Sequence, residues 1–182
     1  SSADNSLEVL DGGEVTVTGR LYVGRNAYGG TRMAIDGAGS RVAVLGAAYV
    51  GESSLASNCA LRISNGGCWE TRGGAEIGRN GPNTADHAVT VTGEGSVWSN
   101  TGELVVSRAG GPRNRLAAEA AGRVLSDVVK IGDRGEAVVS NGLLGVSGSL
   151  RAYVGSQILL AGTGSVVHVG AGALTAHPGG SS

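Results

Sequence analysis

Apolar and polar positions alternate in short runs along almost the whole chain, and the runs recur. Leu7, Val9, Val15, Val17, Leu21 and Val23 alternate with polar neighbours and close at Gly24. The same order returns in Met33, Ile35, Val42, Val44, Ala48, Val50 and Gly51, then in Leu61, Ile63, Trp69, Ala75, Ile77 and Gly78. A fourth copy uses Val89, Val91, Trp98, Leu104 and Val106, with Ser107 at the closing position. A fifth, degenerate copy runs through Leu116, Ala118, Val124, Val129, Ile131 and Gly132. A sixth leads from Ala137 and Val139 to Tyr153, Val154 and a closing Gly155, and a seventh holds Ile158, Leu160, Val166, Val167 and Val169. Alternation with a period of two predicts strands with one face inward and one outward. The best helical candidate, Leu116 to Leu125, is interrupted by Gly122.

Closing positions 24, 51, 78, 107, 132 and 155 lie 27, 27, 29, 25 and 23 residues apart. A strand repeat of that length without helices predicts an all-β, single-domain parallel β-solenoid of about seven rungs, each copy one turn stacked on the last. The rungs span 7–175, between an N-terminal tail 1–6 and a Gly/Ser tail 176–182. At roughly 4.8 Å per rung the rod is on the order of 30 Å long. Aligned copies place Asp11, Gly37, Asn65, Gly93, Asn141 and Gly162 in one turn column. These residue types tolerate left-handed backbone, and only the fifth rung, near Ala120, departs. Variable segments follow each closing residue, so insertions emerge at one corner. There Arg25, Glu52, Arg79, Arg108 and Asp133 form a charged column.

Composition agrees with thin, repeated layers. There are 34 Gly, two Trp, one Met and no Phe, and the apolar residues are mostly Val, Leu, Ala and Ile. A thick globular core would use larger side chains. Net charge is −1 with 16% charged residues, without the basic excess that nucleic acid or an anionic membrane requires. No apolar run reaches the roughly 18 residues of a membrane span, and no signal segment opens the chain. The opening SSADNS reads as a mature terminus or a cut fragment.

Candidate chemistry is sparse. His87, His168 and His177 fall in a loop, the last rung and the tail, without ligand spacing, and read as solvent-exposed or turn residues. Cys59 and Cys68 do not form a CxxC pair; a free buried thiol and a single disulfide both stay open. Glycine clusters such as Gly110-Gly111-Pro112 lack the Lys-Ser/Thr signature of a phosphate loop. Glu70, Glu76, Glu94 and Glu103 are the carboxylates that neighbouring rungs bring near each other, and a glycosidase needs two flanking a cleft. The short loops predict no such cleft. Outward positions before the closing residues are Tyr22, Tyr49, Glu76, Val105, Lys130 and Tyr153. Tyr22, Tyr49 and Tyr153 are therefore candidate contacts for a glycan or a neighbouring subunit. Thr16 with Thr18 and Thr90 with Thr92 are too interrupted for an ice-binding array.

Asn65-Gly66-Gly67, Ile77-Gly78 and Val91-Thr92-Gly93-Glu94-Gly95-Ser96 through Trp98-Ser99-Asn100-Thr101-Gly102 resemble repeats of bacterial type V secretion passenger domains and PEP-CTERM-associated surface proteins. The likeness is best over the third and fourth rungs and weak from Leu116 onward. It implies a right-handed parallel β-helix displayed outside the cell, and it implies no reaction, cofactor or metal. No capping helix is visible, and the last rung is among the most apolar. Ile158, Leu160, Val167 and Val169 thus predict end-to-end stacking on another copy or another segment of a longer chain. The expected function is an extracellular filament, surface-layer subunit or adhesin passenger, non-enzymatic, with a carbohydrate-binding or polysaccharide-cleaving β-helix as the alternative.

Overall fold

The computed structural model describes residues 5–25, 30–81, 85–170 and 172–176. His177 and most of both predicted tails lie outside these. Every regular element among the described residues is a strand. The first rung holds β1 (Ser6–Val9), β2 (Glu14–Val17) and β3 (Leu21–Val23); the second β4 (Arg32–Asp36), β5 (Arg41–Val44) and β6 (Ala48–Val50). The third holds β7 (Ala60–Ser64), β8 (Cys68–Thr71) and β9 (Ala75–Ile77). In the fourth, β10 (Ala88–Thr92) is followed by one long bent strand, β11 (Val97–Val106); the fifth repeats this with β12 (Arg115–Glu119) and β13 (Arg123–Ile131). The sixth returns to three strands, β14 (Glu136–Ser140), β15 (Leu143–Val146) and β16 (Leu150–Ala152), as does the seventh, with β17 (Gln157–Ala161), β18 (Val166–Val169) and β19 (Leu174–Ala176).

Strands at equivalent places pair in parallel, giving three faces of seven strands and about six turns of a β-solenoid. The first face follows β1, β4, β7, β10, β12, β14 and β17. The other two are joined through β11 and β13, whose register shifts between Asn100 and Glu103 where the strand turns the corner. Register gives the coil lengths directly. Leu7 pairs with Met33, Met33 with Leu61, Leu61 with Val89 and Val89 with Leu116, but Leu116 pairs with Ala137 and Ala137 with Ile158. The last two coils are thus 21 residues, because their corner insertions are missing.

That shortening moves one expected position. Ile131 pairs with Ala152, and the Tyr153 N–H donates to the Ile131 carbonyl, so Tyr153 rather than Gly155 closes the sixth rung. Arg151, opposite Lys130, stands in the outward column assigned above to Tyr153. Gly155 does share the left-handed backbone of the closing glycines, φ +72°, but it stands two residues past the closing position.

The turn column runs through all seven rungs. Asp11, Gly37, Asn65, Gly93, Asn141 and Gly162 have φ between +52° and +94°, and Ala120, in the rung expected to depart, has φ +48°. The backbone therefore keeps the turn where the side chain does not favour it. A second left-handed column, unread in the sequence, precedes the first face at Asn58, Asp86, Arg113 and Arg134.

Two turn chemistries share the first column, interrupted at the fifth rung by Ala120-Ala121. Gly37-Ala38-Gly39-Ser40, Gly93-Glu94-Gly95-Ser96 and Gly162-Thr163-Gly164-Ser165 each follow an Asx turn one rung earlier. The serine hydroxyl accepts from that turn's backbone: Gly12 N–H to Ser40 at 3.1 Å, Gly66 N–H to Ser96 at 3.1 Å, Asn141 N–H to Ser165 at 2.9 Å. For Gly12 and Gly66 the serine satisfies a turn donor with no backbone partner, whereas the Asn141 N–H is shared with the Ala161 carbonyl at 3.2 Å.

Inside, each layer is filled by the alternating set. Ile35, Val42, Val44, Ile63, Ile77, Val89, Val91, Leu104, Val106, Val124, Val129 and Ile131 are fully buried. Trp69 and Trp98, register neighbours on the second face, stack on each other in the core. Beside them runs a buried polar ladder. The Thr71 hydroxyl donates to Asn100 Oδ1 at 2.6 Å, and Asn100 Nδ2 donates to Ser126 Oγ at 2.9 Å and to the Gly102 carbonyl at 3.2 Å. Val44 stands before this ladder and Val146 after it.

Candidate functional site

Three places combine chemistry or exposed apolar surface: the loop-bearing corner, the outer side of the third face, and the two ends of the rod. At the corner, one buried residue with a hydrogen-bonding side chain or thiol precedes each of β7, β10 and β12. Cys59, His87 and Asn114 are all inaccessible to solvent. The Cys59 N–H donates to His87 Nδ1 at 3.2 Å, the His87 N–H donates to Asn114 Oδ1 at 3.3 Å, and Asn114 Nδ2 donates to the Gly111 carbonyl at 2.9 Å. Each side chain lies over the closing glycine one rung back, Cys59 over Gly24, His87 over Gly51 and Asn114 over Gly78.

With Nδ1 accepting, the neutral His87 ring carries its proton on Nε2, which is buried toward the Ala56 carbonyl without a well-formed hydrogen bond. Burial dominates and pushes the imidazole down to about 4, against smaller opposing effects of Ala56 and Asp86. His87 is therefore a corner-filling residue and not the exposed loop histidine that the sequence suggested. His168 is exposed on the last rung. Both cysteines are free thiols: Cys59 is buried, and Cys68 points outward, half-buried. Burial pushes both thiols up. Among the described residues no cluster of three or more His, Cys, Asp or Glu could hold a metal ion.

The third face carries a ladder of ions and rings along the rod axis. Tyr22 and Tyr49 stack with 5.2 Å between centroids, Arg25 covers Tyr22 at 4.7 Å and Arg79 covers Tyr49 at 4.5 Å. Tyr49 is thereby only 7% exposed, which removes it as an open platform for a sugar. Tyr153 stands apart from the stack, in the closing column. The ion pairs run Arg25–Glu52 at 3.7 Å, Glu52–Arg79 at 3.7 Å, Arg79–Glu76 at 3.5 Å, Glu76–Arg108 at 2.8 Å, Arg108–Glu103 at 3.4 Å, and Glu103 with Lys130. Exposed pairs contribute about 0–1 kcal/mol each, and here they join into one network along the axis. Asp133, expected in this column, instead approaches its neighbour Arg134 at 3.8 Å.

Three concavities lie among the described residues, one of them, of about 220 Å³, over Leu7, Glu8, Arg32 and Met33 at the end of the first face. A second, of about 360 Å³, is bounded by Tyr49, Arg72, Glu76, Glu103 and Arg108. Its carboxylates, Glu76 and Glu103, are bridged by Arg108. Glu70 is likewise held by Arg41, with both oxygens at 2.7 Å. The remaining concavity, of about 330 Å³, opens over Gly145 between Leu125 and His168, and there the Ser147 hydroxyl donates to Asp127 Oδ1 at 3.0 Å.

The ends expose core layers. Register places Ile158 and Leu160 on the first face, Val167 and Val169 on the second and Leu174 on the third, all in the inward columns. Leu160 is 55% and Leu174 65% exposed, and Ile158, Val167 and Val169 are half-buried. At the other end Leu7 is 44% exposed, and Val15, Val17 and Leu21 are half-buried. The outer edges of β1 and β17 to β19 pair with no strand among the described residues.

Fold and surfaces together define a β-solenoid repeat protein. Comparison with models of protein families, with curated proteins and with solved structures finds no match.

Proposed function

We propose that this protein is an extracellular structural rod that assembles end to end, as a filament or surface-layer subunit or as a passenger segment of an adhesin. The supporting observation is the pair of unfinished core layers, with Leu160 and Leu174 open at one end and Leu7 open at the other. Completing the burial of such side chains is worth about 1 kcal/mol each, since full burial is worth about 1.5–3. Over the nine residues of both ends this is on the order of 10 kcal/mol. Association itself costs about 4–15 kcal/mol, so assembly is concentration-dependent. Display outside the cell rests on the likeness of the Asn65 and Gly93 turns to surface-protein repeats.

The carbohydrate reading has weaker support, because Glu70, Glu76 and Glu103 are occupied by cations and Tyr49 is covered by Arg79. Light scattering across a concentration series, with electron microscopy of the concentrated sample, tests the proposal. Rods of constant width that lengthen with concentration support it; a compact monomer throughout overturns it. Protease accessibility on intact cells tests the location.

A further inference from the structure

We infer that one copy joins the next head to tail in a single register, with the seventh rung meeting the following molecule's first rung as the second meets the third. This rests on the stacking reading above and adds its partner and its contacts.

Continuing the observed columns across the joint sets Ile158 on Leu7, Leu160 on Val9, Val167 on Val15, Val169 on Val17 and Leu174 on Leu21 of the next copy. Every inward column of the last rung thus finds an apolar residue in the first.

The turns carry a second, independent sign. The seventh rung has the serine form, Gly162-Thr163-Gly164-Ser165, and the first has the Asx form, Asp11-Gly12-Gly13. The molecule already makes this step once, from Gly37-Ala38-Gly39-Ser40 to Asn65-Gly66-Gly67. There the Gly37 N–H donates to the Ser64 carbonyl at 3.1 Å. The equivalent bond at the joint runs from the Gly162 N–H to the Leu10 carbonyl of the next copy, and Leu10 is 43% exposed. The joint therefore repeats a turn step that the molecule already makes between its second and third rungs.

Among the described residues, β1 begins and β19 ends at the loop-bearing corner, and neither strand crosses the end surface.

The register makes Glu8 the outward neighbour of Leu159, which follows Val138 in its column. In one molecule the two positions are six strand spacings apart, about 29 Å, whereas a disulfide spans Cα atoms about 4.4–6.8 Å apart. The test is the variant Glu8→Cys/Leu159→Cys in a Cys68→Ser background, oxidised and run on a non-reducing gel. A ladder of dimers, trimers and larger species is expected, at least tenfold stronger than for Thr16→Cys/Leu159→Cys, whose positions lie on different faces. A ladder equal or stronger in the mismatched pair overturns the register but leaves stacking standing. Monomers throughout, in the variants and in light scattering of the unmodified chain, overturn both. If the double variant does not fold, the two single variants are mixed; disulfide-linked heterodimers are then expected, and their absence from an assembling mixture overturns the register.

Discussion

Trp69 and Trp98 lie face to face, 4.5 Å between ring centroids and 20° between planes, yet only one indole finds a partner. Trp98 Nε1–H donates to Thr71 Oγ1 at 3.2 Å, whereas the buried Trp69 Nε1 has none. The reason is one rung away. Val44 occupies, below Trp69, the place that Thr71 occupies below Trp98.

Val44→Thr should therefore be nearly free. Burying a hydroxyl without a partner costs about 1–3 kcal/mol, and a new hydrogen bond to Trp69 returns about 1. Denaturant unfolding is expected to place Val44→Thr within about 1 kcal/mol of the parent. Val42→Thr, equally buried but not positioned like Thr71, should lose about 1–3. Equal losses would show that the Trp69 donor does not use the new hydroxyl.

His87 sets an acid dependence. In the folded chain its value is about 4, against an ordinary 6.5. Between these values the unfolded chain takes up the proton and the folded chain does not. Its contribution is fully present above pH 6.5 and is lost as the pH falls toward 4, by up to about 3 kcal/mol. Unfolding measured at pH 7 and pH 4.5 should show the loss, and His87→Asn should flatten it. Identical slopes in both proteins would place the acid sensitivity elsewhere.

Much of this arrangement is legible before any coordinates. The alternating Val, Ile and Leu residues fix which side of each strand is inward, and the Asx/Gly column fixes the register, because both repeat at the interval of the coil. What escapes is where backbone and side chain disagree. Ala120 adopts φ +48° although alanine does not favour it, because the N–H groups of Ala120 and Ala121 are held by the Ser140 and Asn141 carbonyls of the next rung. Gly155 has the conformation of a closing glycine at the wrong position. The corner column Cys59, His87 and Asn114 escapes because its members share no chemical type. Their spacing of 28 and 27 residues, equal to that of the strands they precede, is the signal that identifies them.

Ala120 and Ala121, at φ +48° and +70°, stand where the third rung has Asn65 and Gly66. A left-handed conformation costs an ordinary side chain about 1–2 kcal/mol. Ala121→Gly is expected to stabilise by about 1 kcal/mol, a rise of about 2–4 °C in thermal midpoint. A fall would mean that the Ala121 methyl group makes contacts worth more than its strain.

Gly51 and Gly12 separate strain from space. Both have positive φ, +73° and +78°. A Cβ on Gly51 would meet the His87 ring at 2.3 Å, and one on Gly12 would meet nothing within 4 Å. Gly12→Ala should cost about 1–2 kcal/mol and Gly51→Ala clearly more, about 3 or above, by calorimetry. Similar losses would mean that the corner yields to admit the methyl.

The shortening of the coil after Leu116 gives the rod a direction. Its layers are near copies, and their interior hardly distinguishes one end from the other. The outline does, because four levels carry a bulging corner and the last ones are trimmed. Chains of such units, joined as inferred, would show bulged and smooth bands repeating every seven strand spacings, about 34 Å. A neighbour approaching from the side would meet a notched edge that reads differently upward and downward.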